Sequence, residues 1–553
     1  MEMRAHFNLR LAELKQARSS FEPQWRDSDE YILPGSVEFN TSDTNRGERK
    51  NQKIINDTAT DASRTLSSGL MGGLTSPARP WFALRTGNSE ANQLKPVKVW
   101  TDITTKRMAE VFQRSNLYQV LPQFYDDLGS FATGAFYVEE DEKTTIRCYH
   151  LPVGSYYLGT SYRGSIDTCV REIKMTAHQM VEKFGYDQCT ETVKNASKRN
   201  EDAWFEVVHF IEPNPDHDPN KMHSKFKRFR SVFYEPSNKD GNLSEMGYDE
   251  FPVIAARWSV RGSAIYGNRC PGFQCIGDVK ALQLGEKKGW QGLEKMVDPP
   301  VMAPSGLRMN SAITRLPGGI TWYNANDIGQ GIKPLYEVNP RLAELDVRLA
   351  RVEARIRRAY FADLFLMISN MDGIQPRNTA EINVRREEKM LMLGPVLERL
   401  NDEAFDPLIQ YVFSIMVKRN MIPIPPPEIQ DQELTIEYVS TLAQAQKLIG
   451  TAALEKLTAF VGNLMATFSS AGDKYDADQA IDEYAAMVGA GPKTIRDAKE
   501  TAGMRQERAQ AQAQDRMMMQ AQQVAQTAQA LGNTPVNQDT ALGPMLTRMG
   551  LSA

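Results

Sequence analysis

The chain has 553 residues, of which 41% are hydrophobic and 24% charged, with a formal net charge of −4 and a pI near 6.0. Those values fit an ordinary multidomain globular protein, and no apolar run approaches the ~20 residues that span a bilayer. The slightly acidic balance argues against tight binding of nucleic acid, which needs a basic face to displace phosphate counterions. It leaves room for a conduit, where a strong grip would hinder movement. The N-terminal MEMRAHFNLRLAELKQAR is polar and amphipathic, without the apolar core of a signal peptide. Five scattered cysteines, an odd number, do not suggest a disulfide framework and fit synthesis in a reducing cytoplasm.

Residues 5–18 follow a helical pattern. Residues 54–75, IINDTATDASRTLSSGLMGGLT, read as a helix that dissolves into glycine, and SPARPWFAL follows as extended chain. Residues 96–131 predict two helices broken near Asn116 and Pro122. From Ala135 to Ile173 the pattern turns to strands, with Phe136, Val138, Ile146, Tyr156 and Val170 pointing inward. Thr176 is placed to cap a short helix, AHQMVEKFG, that ends at Gly185. More strands are expected at 204–211, 226–234 and 252–260, with a tight turn at KDGN, 239–242.

Residues 275–297 look helical yet contain Gly277, Gly285, Gly289 and Gly292. Each interior glycine costs roughly 1 kcal/mol against alanine. This is either a weak helix or one whose Gly285/Gly289 face admits another helix closely. Pro299 and Pro300 stop it, and 300–338 is Pro/Gly-rich and strand-like. After a helix at 339–362 and the loop LMISNMDGIQPRN, Asn378 and Glu381 form a capping-box-like pair. They open a stretch of about 42 residues, roughly 60 Å if continuous. Gly394-Pro395 predicts a kink there. Asp406-Pro407 reads as a second kink or as an N-cap followed by proline. MIPIPPPE closes the region. Residues 440–505 are helical in pattern. Residues 505–530 are rich in Gln and Ala, which suits a polar helix, an oligomeric one, or a partly disordered tail.

The segment RLAELDVRLARVEARIRRA, 341–359, carries the most information. Leu342, Leu345, Leu349, Val352, Ile356 and Ala359 form a seam spaced three and four residues apart. Arg341, Arg348 and Arg355 flank it on one side, Asp346 and Glu353 on the other. Two readings stay open. The helix packs within its own chain and solvates its charges, or opposite flanks of neighbouring copies meet in a heterologous contact that closes a ring. Exposed ion pairs are individually weak, about 0–1 kcal/mol, but they set register. Residues 341–358 hold six arginines against three acids.

Catalytic chemistry is not apparent. The histidines at 209, 217 and 223 lie near Asp216 and Asp218 at no standard metal spacing. Cys270 and Cys275 have no second pair. GLMGGLTS lacks the lysine of a phosphate-binding loop. Asp126, Asp127 and the acids at 139–142 have the composition of a two-metal nuclease site but read as a solvated helix end and a hairpin edge. No catalytic residue, metal ligand or cofactor is expected.

Taken together, FEPQWRDSDEYILP, INDTATDASRTLSSGLMGGLTSPARPWFAL and TAEINVRREEKMLMLGPVLERL, followed by DPLIQYVFSIM and PIPPP, resemble the head-to-tail connector, or portal, family of short-tailed phages (podoviruses). The resemblance covers most of residues 1–430. It implies an α+β, predominantly helical multidomain fold. Residues 1–267 would be a wing with small β-sheets, 268–298 and 339–362 the two stem helices, and 299–338 a small α/β clip. Residues 363–378 would be a channel loop, 379–439 the long proline-kinked wing helix with its following segment, and 440–510 a helical crown. Residues 511–553 would be a Gln/Ala-rich helix or tail. The implied assembly is a twelve-subunit ring at one capsid vertex, formed in the host cytoplasm and carried in the virion. It would conduct double-stranded DNA during packaging and ejection and meet terminase, tail or adaptor proteins, capsid and scaffolding protein. The channel candidates are then Lys280, Lys287, Lys288, Arg348, Arg351, Arg355, Arg358 and Arg377. Candidates for contact between stems are Arg341, Asp346, Arg348, Glu353 and Arg355. A DNA-processing packaging enzyme (nuclease or ATPase) and a capsid or scaffolding protein are the alternatives.

Overall fold

The computed structural model describes residues 2–39, 51–88, 91–221, 223–238, 241–297, 301–302, 333–334, 341–365, 393–429, 434–439, 454–465, 467–468, 474–488 and 498–532. It is α+β, with mostly helices and small antiparallel sheets. Two compact units form. One comprises Met1–Arg85, Thr101–Ile424 and Leu434–Gly489, and the other Thr86–Trp100, Pro425–Glu433 and Ala490–Ala553.

The first unit opens with α1 (Glu2–Ser19), α2 (Glu22–Tyr31) and α3 (Thr58–Leu74). β1 (Phe82–Thr86) is the extended stretch expected after the prolines. α4 (Lys95–Arg114) and α5 (Leu117–Phe131) part at Asn116 as anticipated, but Pro122 breaks nothing and lies inside α5. Its ring removes one backbone bond, and burial of Val120, Leu121, Phe124 and Leu128 holds the helix together through it. α5 is the centre of the main core. Trp25 Nε1 donates to the Phe131 carbonyl (3.1 Å), and Ser63, Ser130 and Tyr360 form a buried chain of hydroxyls at 3.0 and 3.3 Å.

β2 (Thr133–Asp141) pairs with β3 (Thr145–Leu151) on one side and, later in the chain, β9 (Val253–Arg257) on the other. On each edge strand of this small sheet a side chain satisfies one outward-facing residue. Asn116 donates to the Cys148 carbonyl (2.7 Å) and accepts from its N–H (2.8 Å). Glu403 accepts from the Arg257 N–H (2.9 Å).

The second sheet is a five-stranded meander. It runs β4 (Tyr156–Thr160), β5 (Ile166–Thr176), β6 (Trp204–Pro213), β7 (Phe229–Tyr234) and β8 (Ser244–Tyr248) in that spatial order. Phe136, Val138, Ile146, Tyr156 and Val170 are all buried, as their alternation requires. β8 has no strong apolar alternation, and the KDGN turn before it lies partly outside the described residues. α6 (Ala177–Phe184) starts with the expected Thr176 cap in a full capping box with Gln179, and Gly185 follows its end at φ 87°. α7 (Glu191–Arg199) packs beside it.

α8 (Pro271–Val297) is one uninterrupted helix despite its five glycines. β10 (Val301–Met302) pairs antiparallel with β11 (Lys333–Pro334). α9 (Leu342–Ala359) and α10 (Ala362–Phe365) follow. Helix resumes at α11 (393–400), passes through a π turn at Asn401–Phe405 and continues as α12 (Asp406–Lys418). Asp406-Pro407 is therefore not a capped start, because Phe405 itself has helical dihedrals (φ −80°, ψ −41°). The wider turn accommodates a proline that has no N–H to give. It also presents Glu403 to Arg257 Nη2 (2.7 Å) and Arg399 Nη1 (2.8 Å). Gly394 and Pro395 fall in the first described turn of α11, and the chain before it, 366–392, lies outside the described residues. β12 (Leu434–Tyr438) pairs with β1. Helices α13 (454–465) and α14 (Ala477–Val488) complete the unit. In the second unit, α15 (Ala498–Gly532) is a 35-residue helix, so the Gln/Ala-rich stretch is helical as far as Gly532.

Asp126 and Asp127 are not a solvated helix end. Asp127 is buried 2.8 Å from His150 Nε2, itself a mostly buried ring. Burial, reinforced by Asp127, pushes the Asp126 carboxyl up to about 7. Its Oδ1 is buried with no hydrogen-bond partner among the described residues. A raised carboxyl binds its proton more tightly in the folded state. The stability it contributes is full below the unfolded pKa of about 4 and is lost as pH rises through about 7. Asp126→Asn should therefore melt at higher temperature than the parent at pH 8, with the gap shrinking as the buffer is taken to pH 5. Scanning calorimetry across that range checks it, and a gap that does not change with pH would refute it.

Candidate functional site

α8 and α9 form an antiparallel hairpin whose contact is made of glycine on one side and leucine on the other. A Cβ at Gly285 would sit 2.6 Å from Leu349 Cδ2, and one at Gly289 3.1 Å from Leu345 Cδ2. The missing side chains let the α9 seam lie directly on the α8 backbone. The apolar seam at 342–359 is thus filled within the chain. Ile356 is fully buried, while Leu349 and Val352 pack partly buried against the main core.

Polar contacts tie this hairpin to the body. Gln283 Oε1 accepts from the Ile55 and Asn56 N–H groups (2.7 and 2.9 Å), and its Nε2 donates to the Asn56 carbonyl (2.7 Å). Asn56 Nδ2 in turn donates to Glu286 (3.1 Å) on α8 and Glu353 (2.9 Å) on α9. Tyr360, fully buried, pins the end of α9. These contacts bridge about 230 and 300 residues of sequence, and no local signal marks Asn56 or Gln283 as their source.

The candidate charges separate into two groups. Some have partners in their own chain. Arg355 Nη2 meets Asp278 Oδ1 (2.7 Å), Lys280 meets Asp27 (2.8 Å) and lies over the Tyr31 ring, Arg341 meets Glu344 (2.9 Å), and Glu353 holds Asn56. The rest, Lys287, Lys288, Asp346, Arg348, Arg351 and Arg358, are exposed and have no ion-pair partner among the described residues. Spacing of three, four and three places Arg348, Arg351, Arg355 and Arg358 along one side of α9. Asp346 and Glu353 occupy the other flank. Arg377 lies outside the described residues. The hairpin also exposes Leu284, Trp290 and Val297 on α8 and Val347 on α9. Their apolar character alone does not distinguish these four from core positions in the sequence. Such an arrangement is suited to weak, distributed attraction of a polyanion, screened beyond about 8–10 Å at physiological salt.

Residues 4–495 match the family described as bacteriophage head to tail connecting protein. The chain belongs to that family. It is 46% identical over 535 residues to the portal protein of Salmonella phage epsilon15, covering 96% of both chains. It is 38% identical over 539 residues to the probable portal protein of Bordetella phage BPP-1, again covering 96% of both. The packaging-enzyme and shell-protein alternatives gain nothing from these matches. Of the histidines considered above, one is placed deep in the fold. His209 is buried in the five-stranded sheet between Arg171 Nε (2.9 Å) and Ser231 Oγ (2.8 Å).

Gly285→Leu should destabilise the chain by roughly 1–3 kcal/mol through overpacking, and Gly285→Ala by less, since the Leu349 methyl can swing away. Combining Gly285→Leu with Leu349→Ala should recover part of the loss. Urea unfolding of the four variants checks this, and strictly additive effects would show that the two positions do not meet.

Proposed function

We propose that copies of this connector, twelve in the closed ring, surround a channel through which double-stranded DNA enters the capsid during packaging and leaves during ejection. In this reading α8 and α9 are the stem, the two sheets with α1–α7 and α11–α12 the wing, residues 299–338 the clip, 363–378 the channel loop and 440–510 the crown, with 511–553 a separate helix or tail. The ring assembles in the host cytoplasm and stays at one vertex of the virion. Terminase meets it during packaging, tail or adaptor proteins afterwards, and capsid and scaffolding proteins around its rim.

One observation carries the DNA-facing assignment. α9 keeps an arginine side open to solvent while its apolar seam is spent inside the chain. Repeated around an axis, Arg348, Arg351 and Arg358 form a sparse basic lining, joined by Lys287 and Lys288 if α8 also borders the bore. Sparse charge suits the task, because each neutralised phosphate steepens the salt-dependent grip and a moving duplex needs little of it. The exposed Trp290, Leu284, Val297 and Val347 supply apolar surface for neighbouring stems, and Asp346 remains free to meet a neighbour's arginine.

Negative-stain images of the purified protein should show rings of about a dozen copies with a central hole; monomers or closed shells would reject the proposal. Arg348→Glu with Arg351→Glu should leave those rings intact and lower the DNA packaged per capsid several-fold. Rings lost in that variant would move the two arginines to the contact between copies, and normal packaging would remove them from the channel.

A further inference from the structure

Two turns far apart in sequence carry the same tripeptide. Arg163-Gly164-Ser165 lies in the turn between β4 and β5, and Arg261-Gly262-Ser263 in the loop between β9 and α8. Both glycines are left-handed, at φ 80° and 64°, which lets the chain reverse tightly beside each arginine. A single buried guanidinium holds the two turns together. Arg257, 4% exposed, donates from Nη2 to the Gly164 carbonyl (2.9 Å) and from Nη1 to the Ala264 and Ile265 carbonyls (3.3 and 3.4 Å). Glu403 neutralises it at 2.7 Å. Each turn is also braced locally. The Ser161 N–H donates to the Ser165 carbonyl (2.8 Å), and the Asn268 N–H to the Ser259 carbonyl (3.1 Å). The backbone of both turns is therefore set before anything docks, which lowers the ordering cost of binding.

What the turns present to solvent is basic. Arg163 and Arg261 are exposed, as is Arg269 beside Asn268, and none of the three has an ion-pair partner among the described residues. Residues 161–165 and 259–270 contain no acid. Asp167, two residues past the first turn, accepts from Thr168 (3.0 Å) and faces Arg10. Arg163 Nε donates to the Tyr162 hydroxyl (2.7 Å), which leaves its terminal nitrogens open. A Cβ at either glycine would meet nothing within 4 Å, so the space in front of both turns is clear. Arginine forks together with the hydroxyls of Tyr162, Ser165 and Ser263 are donors that phosphate oxygens accept from. No aliphatic side chain of either turn is exposed, so the apolar centre of a protein–protein interface is missing, whereas a polar, strongly positive surface suits nucleic acid. We infer that the two turns form a phosphate-binding patch for the backbone of double-stranded DNA, built on elements other than α9 and held in register by Arg257. The inference rests on the conduit reading above for the identity of its polyanion.

The test titrates a short fluorescein-labelled DNA duplex with the purified full-length protein over a series of salt concentrations. Arg163→Glu with Arg261→Glu should weaken binding several-fold at low salt. It should also lower the slope of log affinity against log salt by about 2, at ~0.9 per phosphate contact. Arg163→Lys with Arg261→Lys keeps the charge and should keep the slope. An unchanged slope in the reversal variant would overturn the patch. Polyglutamate bound by the parent as tightly as the duplex, and lost in the reversal variant, would overturn it in favour of an acidic protein partner. Rings formed by the parent and lost in the reversal variant would overturn it in favour of a contact between copies. A parent that forms no rings in negative stain would remove the conduit reading, a result separate from the titration.

Discussion

The close approach of α9 to the glycine face of α8 is the contact on which the proposed stem surface depends. Gly285 and Gly289 give up helix propensity, roughly 1 kcal/mol each, and gain an interface in which Leu349 and Leu345 lie against backbone. Because the leucine seam is consumed there, the polar flanks of α9 are turned outward. A bulkier α8 would push α9 away and rotate or release those flanks, so the position of every arginine on α9 follows from two absent side chains.

The hairpin is also fixed at its base. Asn56 and Gln283 link the segment before α3 to both helices, and Tyr360 enters the buried hydroxyl chain with Ser130 and Ser63. Glu403, delivered by the π turn, accepts from one outward-facing N–H of β9 and anchors the helix that follows the undescribed 366–392 stretch. Polar groups this deep are costly unless satisfied. Here they are satisfied by partners far away in sequence, and such networks join separate elements into a rigid body. Rigidity suits a connector, which is the class the family match assigns.

Uncovered apolar surface recurs at the α8/α9 hairpin, with Trp290 and Val297, and at α13 and α14. Exposed aromatic and aliphatic surface of this kind is what the proposed ring would cover.

Periodicity and caps were readable directly. The alternation at 135–173, the Thr176 box, the break at Asn116 and the seam of α9 are local patterns, and local geometry enforces them. The resemblance to phage connectors was legible too, because several separate motifs coincide along one chain. Other features were decided only by long-range packing. The helical run through Pro122 is held by core burial, the π turn by the bond Pro407 cannot make together with the pull of Arg257 on Glu403, and the burial of Asp127 by His150 across the fold. The division of the arginines was likewise tertiary. Arg355 is paired because α8 happens to bring Asp278 beside it, and Arg348 is open because nothing described lies opposite. Sequence by itself determined which residues form helices and which family they compose. Only the tertiary structure decided which charges are spent inside the chain and which remain for a partner, since that depends on what stands across a gap of a few ångströms, and spacing along the chain does not encode it.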